Sequence, residues 1–273
     1  VFVDMGIPQH AVEVVIHEAR KQAGGLLAFE VPAFHLNRSV VAQDVNDVLR
    51  WGVELRLESK IAGRADFERL VEQYDGIVLA TGAHKGLGSG LEGEQGVIGV
   101  LDALTVLRKI AADAPLPSAR IAYVLGSSPA ALATARALRK NGVATVYLVF
   151  SHSLEELSPD PRNVQQAKQE GIEFLPLRRP VKLHQKAGRF SGLTCQILQS
   201  ANDGVSPLGR YVLEAISEEQ LDGDLLVAAH DRESAVDPAQ YSDVLEPTVL
   251  GTFQVDPDTL MTPQKGVFAA GEA

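Results

Sequence analysis

The amino-acid sequence predicts an α/β fold built on parallel sheets, and three observations carry that expectation. Apolar runs of strand length alternate along the 273 residues with segments whose apolar positions recur at helical spacing. The stretch "APLPSAR" at 114–120, with two prolines, interrupts this alternation and reads as a domain boundary. From Ile121 the pattern restarts as strand, tight turn, helix and strand through Phe150, a span of about 30 residues that suits a βαβ unit and one half of a Rossmann sheet.

Taken in order, "VFVDMG" reads as the last turn of a helix and "VEVVIHEA" as a buried strand ending on Glu18. "QAGGLLAFEVPAF" is a glycine-rich loop. "SVVAQDVNDVLRWG" has helical periodicity, opens on Ser39 as N-cap and closes on Gly52. Strand "VELRL" and helix "DFERLVEQ" follow, then "YDGIVLATGAH", an apolar strand running into a Thr-Gly turn, and "VLDALTVLRKIAAD", an amphipathic helix. After the central βαβ unit, whose helix runs from Pro129 to Asn141 and is closed by Gly142, come helix "NVQQAKQE" and strand "IEFL". "VKLHQ", "RFSGLTCQIL" and "YVLEAI" predict an antiparallel meander, "GDLLVAAH" a buried strand, and "VFAAGEA" a last strand ending on a small-residue turn.

Composition narrows the function classes. With 25 Lys plus Arg against 35 Asp plus Glu, the net charge of -10 disfavours nucleic acid and anionic lipid as partners. No apolar run is long enough to span a bilayer as a helix, and no secretory leader pattern opens the chain, so a soluble cytoplasmic protein is expected. The single cysteine, Cys195, allows no internal disulfide, no CxxC centre and no thiolate-held iron-sulfur cluster, and its alternating context predicts a buried structural thiol. His10, His17, His35, His84, His152, His184 and His230 are dispersed without ligand spacing, so no metal site is expected. "GSSPA" has Ala130 where the elbow of a serine hydrolase needs glycine.

Four stretches in the right order resemble the glutamate synthase small (beta) subunits and related FAD/NAD(P)-dependent oxidoreductases of the two-dinucleotide-binding-domain fold. "GGLLAFEVPAFHL" is similar to the family's Gly-Gly-Leu loop, and "YDGIVLATGA" to its Ala-Thr-Gly-Ala strand. "SLEELSPDPRNVQQAKQEGIEFL" is similar to its Ser-x-Glu-Glu-Met-Pro stretch and the helix after it, and "VDPDTLMTPQKGVFAAGEA" to its closing flavin motif. The resemblance implies two Rossmann-like dinucleotide-binding domains, an NAD(P)-binding domain at 113–243 inserted into a discontinuous FAD-binding domain at 1–112 and 244–273. It also implies that NAD(P)H reduces FAD and that electrons pass to a partner subunit or to iron-sulfur centres, which this chain cannot itself hold.

On that resemblance, Glu18 is placed to accept from the adenosine ribose hydroxyls, or is an ordinary solvated carboxylate at a strand end. Gly24, Gly25 and Leu26 form the loop beside the dinucleotide, though a plain turn needs glycine as well, and Thr81 and Gly82 form the turn next to the cofactor. Gly271 and Glu272 match a Gly-Asp pair whose carboxylate contacts the cofactor; the longer glutamate reaches the same place only if its loop shifts.

Several positions depart from the family pattern. Its first strand, GxGxxG turn and most of its first helix belong ahead of Val1, which leaves the FAD-binding domain without its first strand and suggests a fragment of a longer protein. Gly126, Ser127, Ser128, Pro129, Ala130 and Ala131 occupy the six fingerprint positions with only the first and last matching. Ser128 with Pro129 reads as an N-cap and first helical residue, whose hydroxyl competes with a phosphate for the same amides. Ser151 and His152 stand where the family presents arginines to a 2′-phosphate, and His230 stands where it has glycine, so the nicotinamide site reads as weakened and the sequence writes neither coenzyme preference. No catalytic side chain is expected, since hydride transfer needs mainly positioning and exclusion of water. The leading expectation is an electron-relaying oxidoreductase component. The alternatives are a degenerate docking subunit and a free-standing module for another adenosine ligand.

Overall fold

In the computed structural model of the protein, the described residues are 12–157, 159–205, 211–230, 232–234, 236–249 and 251–271. The helical turn expected at "VFVDMG" lies outside them. The chain divides into two compact units, Val1–Lys85 with Arg232–Ala273, and Gly86–Asp231.

The first unit contains β1 (Val15–His17), α1 (Gly25–Phe29), α2 (Arg38–Leu49), β2 (Glu54–Arg56), α3 (Arg64–Gln73) and β3 (Ile77–Leu79). The two chain crossings carry short strands β4 (Lys85–Gly86) and, later, β13 (Arg232–Glu233), and β14 (Val267–Ala269) ends the order. The second unit holds β5 (Val100–Asp102), α4 (Ala103–Ala111), β6 (Ile121–Leu125), α5 (Pro129–Lys140), β7 (Thr145–Val149), α6 (Pro161–Gln169) and β8 (Ile172–Leu175). It continues through β9 (Arg178–Lys186), β10 (Arg189–Val205), β11 (Tyr211–Asp222) and β12 (Leu225–Ala228).

The boundaries read from "APLPSAR" therefore move. Val100–Asp102, expected to begin a helix, is a strand that pairs in parallel with β12, and Asp102 then N-caps α4 by accepting from Thr105 N. This pairing draws α4 and the proline stretch into the second unit, because a helix follows the strand that anchors it.

The second unit is a five-stranded parallel sheet in the order β5-β12-β6-β7-β8, covered on both faces. Period-2 alternation assigns the faces. Ala122, Val124, Val146, Leu148, Leu225 and Val227 face a core with Leu132, Ala135 and Leu138 of α5, Val106 of α4 and Ala167 of α6. Tyr123, Leu125, Val149 and Leu226 face the other way, onto Leu183, Phe190, Leu193 and Cys195 of the antiparallel meander β11-β10-β9. Burial on both sides is why these strands read as near-continuous apolar runs. It also pushes the Cys195 thiol up to about 12, with Glu219 adding to the effect, which makes it a packing residue. Tyr123 keeps its hydroxyl satisfied in this layer by donating to Asp222 O at 2.9 Å.

The first unit is less covered. Its strands form two separate parallel pairs, β1 with β2 and β3 with β14. Ile77, Leu79, Val267 and Ala269 pack on Phe67 of α3, Leu245 and Phe253, while Val78 on the opposite face is 66% exposed. Ile16 in the middle of β1 is 39% exposed, so the strand read as buried is covered on one side only. Two local expectations also change. Part of the glycine-rich loop coils into α1, and the N-cap of α2 is Asn37, whose side chain accepts from Ser39 N, the residue first read as the cap.

An ion-pair cluster ties α5 to the end of α6. Arg136, 2% exposed, holds Glu170 through Nε and Nη2 at 2.7 and 2.8 Å, and Lys140 Nζ adds a contact at 2.9 Å. These donors, Arg136 foremost, hold the Glu170 carboxyl well below its usual range, at about 2. Its stabilising contribution is complete above the unfolded carboxylate value and is lost as pH falls through that value toward about 2. Glu170→Ala, which leaves a buried guanidinium without its anion, should cost about 3 kcal/mol at neutral pH in chemical denaturation. The deficit relative to the parent should shrink when the same titration is run near pH 3.

Candidate functional site

The strand order of the second unit has a switch point. From β6 the chain crosses through α5 to β7 on one side, while β12 lies on the other, so the carboxyl ends of β6 and β12 form the switch point at which α/β sheets of this kind bind ligands. The residues at this switch point are Gly126, Ser127 and Ser128 after β6, and Ala229 and His230 after β12.

Gly126 is held by geometry that admits no side chain. Its φ is 137°, its N–H donates to Val149 O at 2.9 Å, and a Cβ there would lie 2.6 Å from Ala229 O and 3.3 Å from Ala131 Cβ. Ala131 is fully buried against this turn, which lets α5 approach the sheet closely. Ser128, in extended conformation at φ -74° and ψ 163°, caps α5 by accepting from Ala131 N at 3.2 Å, with Pro129 at the first helical position. Proline has no N–H to offer, so Ala130 is the first α5 residue with an amide N–H free of the cap. A hydroxyl that accepts one bond keeps its own proton to donate, so Ser128 at this position can face a phosphate oxygen as well as cap the helix.

Beyond β7, Phe150 is buried and its ring lies 4.9 Å from that of His152, whose Nδ1 is 3.0 Å from Ser153 O. Ser153 and Glu156 form a capping box on the short helical turn Leu154–Glu156. Both Glu155 and Glu156 have carboxyls held below their usual range, chiefly by backbone hydrogen bonds, at Glu155 itself and at Ser153.

In the first unit, Glu18 follows directly on β1, half-buried, and its Oε1 accepts from Arg20 N at 2.9 Å. Gly24, at φ 116°, is the N-cap of α1, and a Cβ there would press on Ala28 and Val41 at 2.9 Å each. Gly25, at φ 50°, has nothing within 4 Å of its Cβ position, so its backbone is open to a ligand. Leu26 takes the first turn of α1, its carbonyl accepting from Glu30 N and Val31 N. Thr81 is exposed and Gly82, at φ 68°, turns the chain beside His84. Gly271 is exposed at φ 73°, and Glu272 lies outside the described residues.

The structure adds one residue that the motif reading passed over. Glu30 is 3% exposed, with Arg20 Nη2 at 3.6 Å and His84 Nδ1 at 3.9 Å from its Oε1, and the Arg20 guanidinium sits 4.5 Å from the Phe29 ring centre. This carboxylate brings Arg20 and His84 from separate segments to one place in the first unit, while the Glu30 N–H donates to Leu26 O at 2.9 Å. The available signal was a glutamate inside the apolar run "LLAFEVPAF".

The chain matches the family described as pyridine nucleotide-disulphide oxidoreductase over residues 10–273. It belongs to that family. Within it, the chain is similar to glutamate synthase small chains, as its motifs indicate. It is 26% identical to the glutamate synthase [NADPH] small chain of Azospirillum brasilense over 275 residues, covering 95% of this chain and 56% of that one. It is 29% identical over 262 residues to the NADP(+)-dependent formate dehydrogenase subunit beta of Moorella thermoacetica, covering 95% of this chain and 37% of that protein. The chain thus spans about a third to a half of the length of these two relatives. Mycobacterium tuberculosis FprA in complex with NADPH shares the fold with a TM-score of 0.72 at 17% identity, over 95% of this chain and 71% of that one. The α/β architecture with two dinucleotide-binding units is that of this family, and among the described residues no helix is long and apolar enough to cross a membrane.

The cap geometry makes a stability prediction. Ser128→Ala should destabilise the second unit by about 1 kcal/mol and Ser128→Gly by only a few tenths, read as shifts in its denaturation midpoint. Gly126→Ala should cost more than either, about 2–3 kcal/mol, because the neighbouring Ala229 carbonyl is backbone and cannot turn aside.

Proposed function

We propose that this chain is the dinucleotide-handling part of a flavin-dependent oxidoreductase, taking electrons from NAD(P)H through FAD to a partner subunit or iron-sulfur centre. The observation that carries this reading is the turn at the switch point of the second unit. There a side-chain-free turn at Gly126 delivers the chain into the capped N-terminus of α5, the geometry that suits a dinucleotide pyrophosphate. Gly126 gives the pyrophosphate a close approach to backbone, Ala130 N–H and the Ser128 hydroxyl donate to its oxygens, and Ala131 keeps α5 tight on the sheet. Ser127 lines the same turn, and Pro129 fixes the direction in which the helix leaves it.

The first unit fits the ribose and backbone contacts of FAD. Glu18 ends β1 with a half-buried carboxylate suited to ribose hydroxyls, Gly25 and Gly271 present open backbone, and Thr81 and Gly82 lie on the turn that Glu30 joins to them. Glu272 completes this set if its loop carries the longer side chain inward. When bound, FAD supplies the two-electron acceptor for a nicotinamide hydride and the route onward to one-electron carriers. The residues named here bind and orient, and none is assigned a proton-transfer role. A cytoplasmic place of action accords with this chemistry.

A second reading is favoured by Ser128. The side chain satisfies one amide of the helix end without any ligand, a feature that suits a docking subunit that has lost nicotinamide binding. Anaerobic titration of the purified protein with NADH and NADPH, followed at the visible flavin band, separates the two. Bleaching of the band by either nucleotide is the outcome expected here; a yellow protein that neither bleaches selects the docking role, and a colourless protein removes FAD from the proposal.

A further inference from the structure

We infer that the nucleotide site of the second unit discriminates against a 2′-phosphate and takes NADH, an inference that rests on the dinucleotide reading above. In a βαβ dinucleotide site the adenosine ribose lies at the end of the second strand, about 20 residues past the glycine turn. There a carboxylate suits the free 2′-hydroxyl and an arginine the 2′-phosphate. Counting from Gly126, this is the end of β7 and the segment Phe150–Glu156.

The charges of that segment have one sign. No lysine or arginine stands between Lys140 and Arg162, whereas Glu155, Glu156 and Asp160 do. The capping box holds Glu156 in place, its carboxylate accepting from Ser153 N at 2.9 Å, so this anion is a fixed part of the loop. Ser151, the first residue past Phe150, is exposed and neutral.

Arg178, Lys168 and Lys140 on neighbouring elements are committed elsewhere, whereas Arg162, exposed in the first turn of α6, lies past Asp160 at the far end of the loop. Arg178 comes nearest along the backbone, its N–H donating to Phe150 O at 3.0 Å, but its guanidinium pairs with Glu219 and also donates to Pro176 O at 3.1 Å. Arg179 alternates to the opposite face of β9. Lys168 lies over the Phe174 ring at 5.5 Å, and Lys140 joins Arg136 on Glu170. A phosphate monoester brings about −1.5 to −2 charges to this acidic loop, and the segment past β7 offers it no lysine or arginine before Arg162. A 2′-hydroxyl brings no charge and can donate to a carboxylate.

The test is equilibrium binding of NADH and NADPH to the purified protein, read by the fluorescence of the reduced nicotinamide and by calorimetry, without any turnover. ADP-ribose and its 2′-phosphorylated analogue serve as competitors for the adenosine end alone. NADH and ADP-ribose should bind about tenfold or more tightly than their 2′-phosphorylated counterparts, the worth of one missing charge-assisted contact. The double variant Ser151→Arg with His152→Arg should raise NADPH affinity by a similar factor. NADPH binding as tightly as NADH to the parent protein would overturn this inference while leaving the dinucleotide reading in place. Binding of neither nucleotide would overturn both, and the parent comparison decides the matter even if the double variant does not fold.

Discussion

The second unit depends on a close approach at one point. Gly126 is wedged between the Ala229 carbonyl and the Ala131 methyl, with β12 on one side and α5 on the other. Because no Cβ can fit, the distance between the returning strand and the helix is set by backbone contact, and backbone positions are less adaptable than side chains. The same contact lies at the end of β6, where the sheet order switches, and just beyond it Ser128 caps the start of α5. The turn that allows the layers to close is thus also the turn that leads into the N-terminus of α5.

The two units differ in how much of their apolar surface is covered. In the second, each face of the parallel sheet has its own layer, helices on one side and the meander on the other, and the strand side chains of β12 are buried throughout. In the first, two short strand pairs are packed on one face while Ile16 and Val78 face outward. Apolar side chains at such exposures contribute less than their transfer value, so polar ties carry more of the local order. The Glu30 cluster is the clearest of these, a buried carboxylate set between an arginine and a histidine from separate loops. A carboxylate that deep in the unit is retained only with partners nearby, and here they come from the segments that carry Arg20 and His84.

Much of this was legible in the chain. The βαβ unit at 121–149, the meander order and the buried strand before His230 follow from periodicity, because strands buried on both faces and helices with one apolar face leave different spacings. Ser128 as a cap was legible too, since serine followed by proline at a helix start is a local motif whose partners are three residues away. Boundaries fared less well. "VLDAL" has the composition of a helix start, and nothing local shows that its first three residues pair with a strand more than 120 positions later. The same limit hid Glu30, whose partners Arg20 and His84 come from two segments on either side of it.

The sequence by itself determined most of the strands and helices, the turn chemistry at Gly126 and Ser128, the absence of lysine and arginine between Lys140 and Arg162, and the family, since each depends on neighbours within a few positions or on motifs in order. Only the tertiary structure decided where the units divide, which strands keep one bare face, which cations are already committed, and that a buried glutamate ties the turns of the first unit together. Those are outcomes of contacts between distant segments, and a linear pattern carries no distance between residues that meet only after the chain has folded.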